Sequence, residues 1–149
     1  MVAHRIQLEQ GRWRLEGNWL ERSNPPITVT GRTIVAWGQD NWYSMVTKLT
    51  FPNRERQEIT CQYRGRLDGG ERQYTFVLQH SELGRVEGEG WITPAAIVQR
   101  YWTLNDKQRR SGFETLSRLD NGKYALSGGM MAGLHLTSAM DATLILQYS

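Results

Sequence analysis

The sequence predicts an all-β protein built as one antiparallel meander that closes into a β-barrel of roughly eight to ten strands. Three observations carry this prediction: apolar and polar residues alternate in segment after segment, tight turn signals separate these segments, and no segment shows a sustained helical period. The 149 residues contain no long linker-like run, so residues 1–149 fit a single domain.

The first strand shows the pattern clearly. In residues 11–19, Trp13, Leu15 and Trp19 occupy odd positions, whereas Arg12 and Arg14 occupy even positions. Successive side chains of a strand point to opposite faces, so this segment has one buried face and one wet face. Two tryptophans on the buried face predict a deep, aromatic interior.

Further alternating segments follow at residues 27–37, 42–51, 57–67, 73–80, 84–93, 96–104, 110–119, 124–130 and 134–146. Residues 68–70 (Asp-Gly-Gly) and 120–122 (Asp-Asn-Gly) are hairpin signals, because these residue types tolerate the positive φ of primed turns. A meander leaves two unpaired edges unless it closes into a barrel. Glycine at two successive inward positions, Gly88 and Gly90, removes side-chain bulk and favours the curvature that closure needs.

The alternation also predicts which residues face the interior. In the last strand these are the even positions Leu134, Leu136, Met140, Leu144 and Leu146. Residues 96–104 leave two alternatives open. Either Arg100 and Trp102 point into the barrel, or Gln99 and Tyr101 do.

Composition narrows the function classes. The net charge of +3 comes from 18 basic residues scattered among 15 acidic ones, which argues against nucleic acid as a partner. The single Cys61 and the lack of a secretion signal near Met1 predict a cytoplasmic protein. No stretch approaches the roughly 20 apolar residues that cross a bilayer, so we expect no membrane partner. The sequence leaves the question of a homodimer undecided, and it predicts no metal site.

An early strand carrying Gly11-x-Trp13, followed by a complete antiparallel meander, resembles the calycin superfamily. Among its intracellular nitrobindin-like and bilin-lyase-like barrels, the layout is nearest to the nitrobindin-like ones. The resemblance implies that Trp13 plugs the closed end and that Trp19, further along the same face, lines a cavity. Nitrobindin-like barrels bind haem through a histidine beside the last strand. The matching segment here, residues 139–144, has Ala139 at that position, and His135 is predicted to face outward. We therefore expect no cofactor.

Nine residues are predicted to contact a ligand in the cavity. They are Trp19, Tyr43, Tyr63, Tyr74, His80, Arg100, Trp102, Tyr124 and Met130. His80 continues an apolar row and has a readily tuned pKa, so His80 and Tyr74 are also the candidate acid–base residues. Structural roles are the alternatives to these functional ones. His80 would lie at a strand end and bond to a carbonyl, the tyrosines would pack in the core, and Arg100 would lie over Trp102 on the outer face.

Three functions compete. The leading hypothesis is a barrel that binds a small hydrophobic ligand of tetrapyrrole, isoprenoid or fatty acyl type in its central cavity. The first alternative is a cofactor-free barrel enzyme, a cyclase, isomerase or bilin-lyase-like protein. The second is a filled barrel that acts as an interaction module through a basic stripe of Arg54, Arg56, Arg64, Arg66 and Arg72.

Overall fold

The computed structural model describes residues 10–120 and 122–148. Ten strands form within them: β1 Gly11–Glu21, β2 Ile27–Trp37, β3 Trp42–Thr50, β4 Ile59–Leu67, β5 Gln73–His80, β6 Gly84–Ile92, β7 Ala96–Thr103, β8 Arg110–Asp120, β9 Lys123–Ala132 and β10 His135–Tyr148. A short 3₁₀ turn spans Pro52–Arg54. Over this part of the chain no helix has the length and apolar character needed to cross a membrane. The all-β prediction is confirmed.

The ten strands close into one barrel. Each strand pairs antiparallel with the next, and β1 also pairs with β10, so that Leu15 lies opposite Leu144 and Trp19 opposite Met140. The predicted closed meander is therefore confirmed. We call the end with the β1–β2, β3–β4, β5–β6, β7–β8 and β9–β10 connections the loop end, and the opposite end the floor.

Aromatic side chains fill the floor half. Trp13 is 2% exposed and meets the edge of the Tyr124 ring with centroids 6.1 Å apart. Tyr43 contacts the rings of Trp37 at 5.4 Å and Tyr74 at 6.3 Å. These edge and tilted contacts suit the quadrupoles of the rings and leave little free space. Trp13 is therefore buried at the floor, the end at which the resemblance to calycin-like barrels implies a plug.

Inward-facing glycines accommodate these rings. A Cβ atom on Gly90 would overlap the Tyr74 ring of the paired strand, and one on Gly88 would overlap Phe76. Each ring lies flat across the glycine of a neighbouring strand, an arrangement that shields the glycine backbone. The glycines of β6 are therefore required for side-chain space, in addition to the curvature that the sequence suggested.

The inner face of β10 differs from the prediction in its first half. Leu134 is 92% exposed and Leu136 is 52% exposed, whereas Ser138 is buried. The pairing of β10 with β9 shifts register between Leu136 and Ser138, and this shift turns the preceding residues outward. The predicted inward facing of Leu134 and Leu136 is wrong, because alternation along a strand does not reveal an irregular pair.

We predict that Gly90→Ala lowers the free energy of unfolding by about 1–3 kcal/mol, because the new methyl group forces the Tyr74 ring out of its place. Urea denaturation followed by tryptophan fluorescence measures this change. Gly69→Ala is the matched control, since nothing lies within 4 Å of a Cβ at that turn position. Equal stability of the two variants would contradict the packing role of Gly90.

Candidate functional site

A cavity of about 80 Å³ lies in the loop half of the barrel. Its wall is mostly apolar, with Trp19 and Met140 among the side chains, and its polar groups include Tyr63, His80 and Glu114. Pockets for drug-sized ligands measure roughly 300–1,000 Å³. This cavity holds a few waters as it stands, so a larger guest requires movement of its wall.

Among the described residues that line the cavity, Glu114 on β8 is the only carboxylic acid. Its cross-strand neighbours are Gln99 on β7 and Gly128 on β9, and a Cβ atom on Gly128 would lie 2.9 Å from the Glu114 Cγ. The glycine thus gives the carboxyl its place inside the barrel, where its remaining accessible surface faces the cavity. Burial raises the pKa of Glu114 above its ordinary value.

A short hydrogen-bonded relay ends at this carboxyl. The Tyr74 hydroxyl donates to Gln99 Oε1 at 2.7 Å, and Gln99 Nε2 donates to Glu114 Oε1 at 3.3 Å. Burial raises the pKa of Tyr74 well above its usual value, so the phenol keeps its proton. Tyr74 therefore donates to Gln99, and Gln99 in turn donates to Glu114. The second carboxyl oxygen of Glu114 forms no hydrogen bond with any described residue. Glu114 therefore offers a free acceptor, or a donor when protonated, to a molecule in the cavity.

His80 reaches the cavity from the last position of β5 and is 4% exposed. Its Nδ1 accepts the backbone N–H groups of Glu82 at 3.0 Å and Leu83 at 3.2 Å. Burial lowers the pKa of His80, so the ring is neutral at pH 7 and these bonds assign its proton to Nε2. His80 is therefore a hydrogen-bond donor that also holds the β5–β6 turn in place.

Trp19 forms the wall nearest the β1–β2 connection. The side chain is 6% exposed, and its indole N–H has no hydrogen-bond partner among the described residues. The ring meets Phe51 edge-on at 5.4 Å, and the Arg56 guanidinium lies 4.9 Å from its centroid. A buried donor without a partner is costly, and an acceptor on a bound molecule would relieve that cost.

Arg56 ties three loop-end connections together. Its guanidinium binds both carboxylate oxygens of Glu82, at 2.7 and 2.8 Å, and Glu21 Oε1 at 2.9 Å. The Arg56 side chain is only 17% exposed and also lies over the Phe51 ring at 5.5 Å. This cluster, which we call the Arg56 latch, holds the β3–β4 loop against the wall that Trp19 forms.

The predicted ligand contacts fall into three groups. Four line the cavity, namely Trp19, Tyr63, His80 and Met130. Tyr43, Tyr74 and Tyr124 face inward but pack in the core outside the cavity wall, and only Tyr74 connects to it, through the relay. Arg100 and Trp102 lie on the outer face.

The burial pattern of β7 shows which of its residues point into the barrel. Gln99 and Tyr101 are buried, whereas Arg100 is exposed and lies 5.5 Å from the Trp102 ring centroid. Arg100 and Trp102 therefore do not reach the cavity, and their predicted place in its wall is wrong. An arginine on the inner face would have needed a buried counter-charge, whereas the outer position leaves the guanidinium in water over an aromatic ring.

Glu114 is the residue that sequence reasoning missed. Phe113 is the large apolar residue at the middle of the alternating segment 110–119, yet it is 45% exposed and points outward. Gly112, Glu114 and Leu116 form the inner row of this strand. Counting back in steps of two from Leu116 would have placed the carboxyl inside.

Cys61 and the arginines of the predicted basic stripe lie in environments that explain them by packing and ion pairing. Burial raises the pKa of the Cys61 thiol to about 12, which suits an inert core residue. The predicted basic stripe is divided, because Arg56 belongs to the latch while Arg64 and Arg66 lie 5.0 and 5.7 Å from the exposed Trp42 ring. A continuous basic stripe is therefore not present on this hairpin.

The residues do not fit the haem that the resemblance to nitrobindin-like barrels implied. His80 carries its proton on Nε2, the nitrogen that would have to bind iron, and its Nδ1 is engaged by backbone donors. His135 is exposed on β10 and outside the cavity. Within the described ranges no group of three or more histidine, cysteine or acidic side chains is arranged to hold a metal ion.

Comparison with known proteins identifies the fold. No family model and no curated protein matches the chain. The chain is similar in structure to Rv2717c from M. tuberculosis, with a TM-score of 0.72 and 14% identity over 93% of this chain and 92% of that one. It is also similar to the S-type phycobiliprotein lyase CPES from Guillardia theta, with a TM-score of 0.66 and 13% identity over 95% and 89%. At these identities the likeness shows a shared fold, and the ten-strand antiparallel barrel fits a lipocalin-like one; the activity has to be argued from the site.

Glu114→Gln should raise stability at alkaline pH and change it little at acidic pH. The raised pKa means that the folded chain keeps a proton that the unfolded chain releases above the ordinary carboxyl value of 4.5, so stability falls as pH rises from there through the folded pKa. The amide keeps the acceptor for Gln99 and cannot ionise. We expect the Tm difference between variant and wild type to grow between pH 4 and pH 8, by about 2–4 °C for each kcal/mol. A constant difference would contradict the burial of this charge.

Glu82→Gln should lower the free energy of unfolding by about 1–2 kcal/mol at pH 7, because the bidentate pair with Arg56 is lost. The hydrogen bond from Arg56 lowers the pKa of Glu82, so its stabilisation is present above the ordinary carboxyl value and is lost as pH falls through the folded pKa. Urea titrations at pH 7 and pH 3 measure both effects. Glu58→Gln, in a pair with Lys48 that is 56% exposed on both sides, should change stability by less than about 0.5 kcal/mol.

Proposed function

We propose that the chain binds a small, largely apolar molecule inside the loop half of its barrel, with a hydrogen-bond donor of that molecule on Glu114. The observation that carries the proposal is the Glu114 carboxyl, which is half-buried in the cavity wall and bonded only to Gln99 among the described residues. A carboxyl that is largely removed from water and has one hydrogen bond destabilises a fold, and such groups concentrate at functional sites. A ligand donor would complete its hydrogen bonding.

The charge of the wall selects among the three ligand types considered from the sequence. The part of the cavity wall formed by described residues contains Glu114 and the neutral His80, but no arginine or lysine. A fatty acid would bring its carboxylate beside Glu114 without a counter-charge. An isoprenoid alcohol or the N–H groups of a tetrapyrrole would instead donate to it. We therefore favour ligands with a neutral or cationic donor group.

The size of the cavity implies that its wall adapts. Met130 and Met140 border it, and methionine side chains repack readily around irregular ligands. The indole N–H of Trp19 supplies a second polar contact at the same wall. On this proposal, ligand entry displaces these side chains and loosens the Arg56 latch that packs on Trp19.

Isothermal titration calorimetry with geranylgeraniol, the uncharged dimethyl ester of biliverdin, and oleate tests the proposal. At pH 8 we expect at least one of the first two to bind and oleate to bind about tenfold more weakly or not at all. The difference should narrow as the pH is lowered from 8 to 5, because burial favours the protonated form of Glu114, and it should also narrow in Glu114→Gln at both pH values. Glu89→Gln on the outer face of β6 is the control and should behave as the wild type.

Two results would overturn the proposal. Equal affinity for geranylgeraniol and oleate at pH 8 would remove the role of Glu114. Failure of all three probes to bind would favour the filled barrel that acts through its surface. Each result is read with circular dichroism of the same sample, which verifies that the variant is folded.

A lyase-like activity is the second candidate, and the likeness to the phycobiliprotein lyase favours it over other enzyme classes. Glu114 and His80 are the groups at the cavity that could move a proton, whereas Tyr74 would act only through Gln99. Mass spectrometry after incubation with an open-chain tetrapyrrole and an apo-phycobiliprotein tests this activity. Covalent transfer that is faster than without the chain, and that His80→Ala abolishes while binding persists, would support it.

A further inference from the structure

We propose that the loop end docks on an anionic lipid surface through two neighbouring connections, the β7–β8 loop and the β9–β10 turn. Their exposed apolar side chains, together with two residues beside them, form what we call the leucine tip: Leu104, Phe113, Leu134 and Leu136. They are 44%, 45%, 92% and 52% exposed. Exposed apolar groups in one continuous region mark an interaction surface.

The leucine tip is a built surface. The backbone N–H of Gly133 donates to the carbonyl of Arg109 at 3.1 Å, so the turn and the loop are joined. A Cβ atom on Gly129 would lie 2.8 Å from Leu136 and 3.2 Å from Phe113, which places both side chains together over that glycine. Leu134 stands at the turn itself, one residue after Gly133. Phe113 and Leu136 therefore lie side by side on the outer surface, next to the joined loop and turn that carry Leu104 and Leu134.

The charges at the tip are positive. Lys107 and Arg109 are exposed in the β7–β8 loop. The acid of that loop, Asp106, is bound by the Arg110 guanidinium at 2.8 Å and by the Thr103 hydroxyl at 3.0 Å. These bonds leave Lys107 and Arg109 without a neutralising carboxylate in their own loop. Cations beside exposed leucines match anionic headgroups above an apolar layer.

Charge and shape favour a lipid surface over a second copy of the chain or another protein as the partner of the leucine tip. In a two-fold dimer across this tip, Lys107 and Arg109 of both copies would approach each other, and like charges would oppose the contact. Leu134 protrudes singly from a tight turn, and a fluid interface accommodates such a side chain without a matching pocket. The sequence-based expectation of no membrane partner concerned a spanning stretch, and a peripheral contact needs none. The proposal is independent of any ligand in the cavity.

Flotation with vesicles tests the proposal on the ligand-free chain. We expect wild type to float with vesicles of phosphatidylcholine and phosphatidylglycerol, to float much less with phosphatidylcholine alone, and to detach as salt rises. Leu134→Glu should weaken the partition by about tenfold or more. Lys107→Glu should also weaken it, and most strongly at low salt.

Leu119→Glu is the matched control, since Leu119 is 56% exposed near the end of β8 at the floor. It should float as the wild type does. Equal losses in Leu134→Glu and Leu119→Glu, or no flotation of the wild type with anionic vesicles, would overturn the proposal. A dimer in sedimentation velocity that Leu134→Glu abolishes would overturn it in favour of a second copy. Binding to soluble poly-glutamate that is as tight as binding to anionic vesicles would overturn the proposal in favour of an acidic protein partner.

Discussion

The interior of the barrel depends on one packing constraint. Ten strands send alternate side chains inward, and this chain uses large rings at many of those positions, so neighbouring strands must supply empty positions for them. Gly88 and Gly90 do this for Phe76 and Tyr74. Where ring and glycine match, the floor half is filled. Where the inner row instead carries Glu114, Ser138 and Met140, a cavity remains.

The same constraint explains why the polar groups lie where they do. Gly128 leaves room for the Glu114 side chain, and Gln99 joins this carboxyl to Tyr74 in the packed half. The relay thus spans the boundary between the filled and the open parts of the barrel. A carboxyl in this place is costly for stability, and the proposed ligand site accounts for its presence.

The loop end combines a closed part and an exposed part. On one side the Arg56 latch joins three connections and packs over Trp19. On the other side the β7–β8 and β9–β10 connections carry exposed leucines beside Lys107 and Arg109. The first packs against the cavity wall, and the second is the surface that we propose for docking. An apolar ligand is most soluble in a bilayer, so the two proposals agree in placing entry and docking at one end.

The sequence by itself determined the fold class, because strict alternation with hairpin turns leaves few alternatives to an antiparallel barrel. It also placed Trp13, Trp19 and His80 on the inner face, since each follows the period of a regular strand. It could not determine the facing of Leu134 and Leu136, because a register shift in the β9–β10 pair breaks that period. The sequence also did not reveal that Glu114 lines the cavity.

A single glutamate in a strand is ordinarily a solvent-facing residue, and only packing against Gly128 and Gln99 shows that it is buried. The choice between Gln99 and Arg100 likewise needed the neighbouring strands, since both alternations were equally regular along β7. Local periodicity fixes the order of faces within a strand. Which polar groups meet, how much space remains between them and which loops join depend on contacts between residues distant in sequence, and only the tertiary structure decides those.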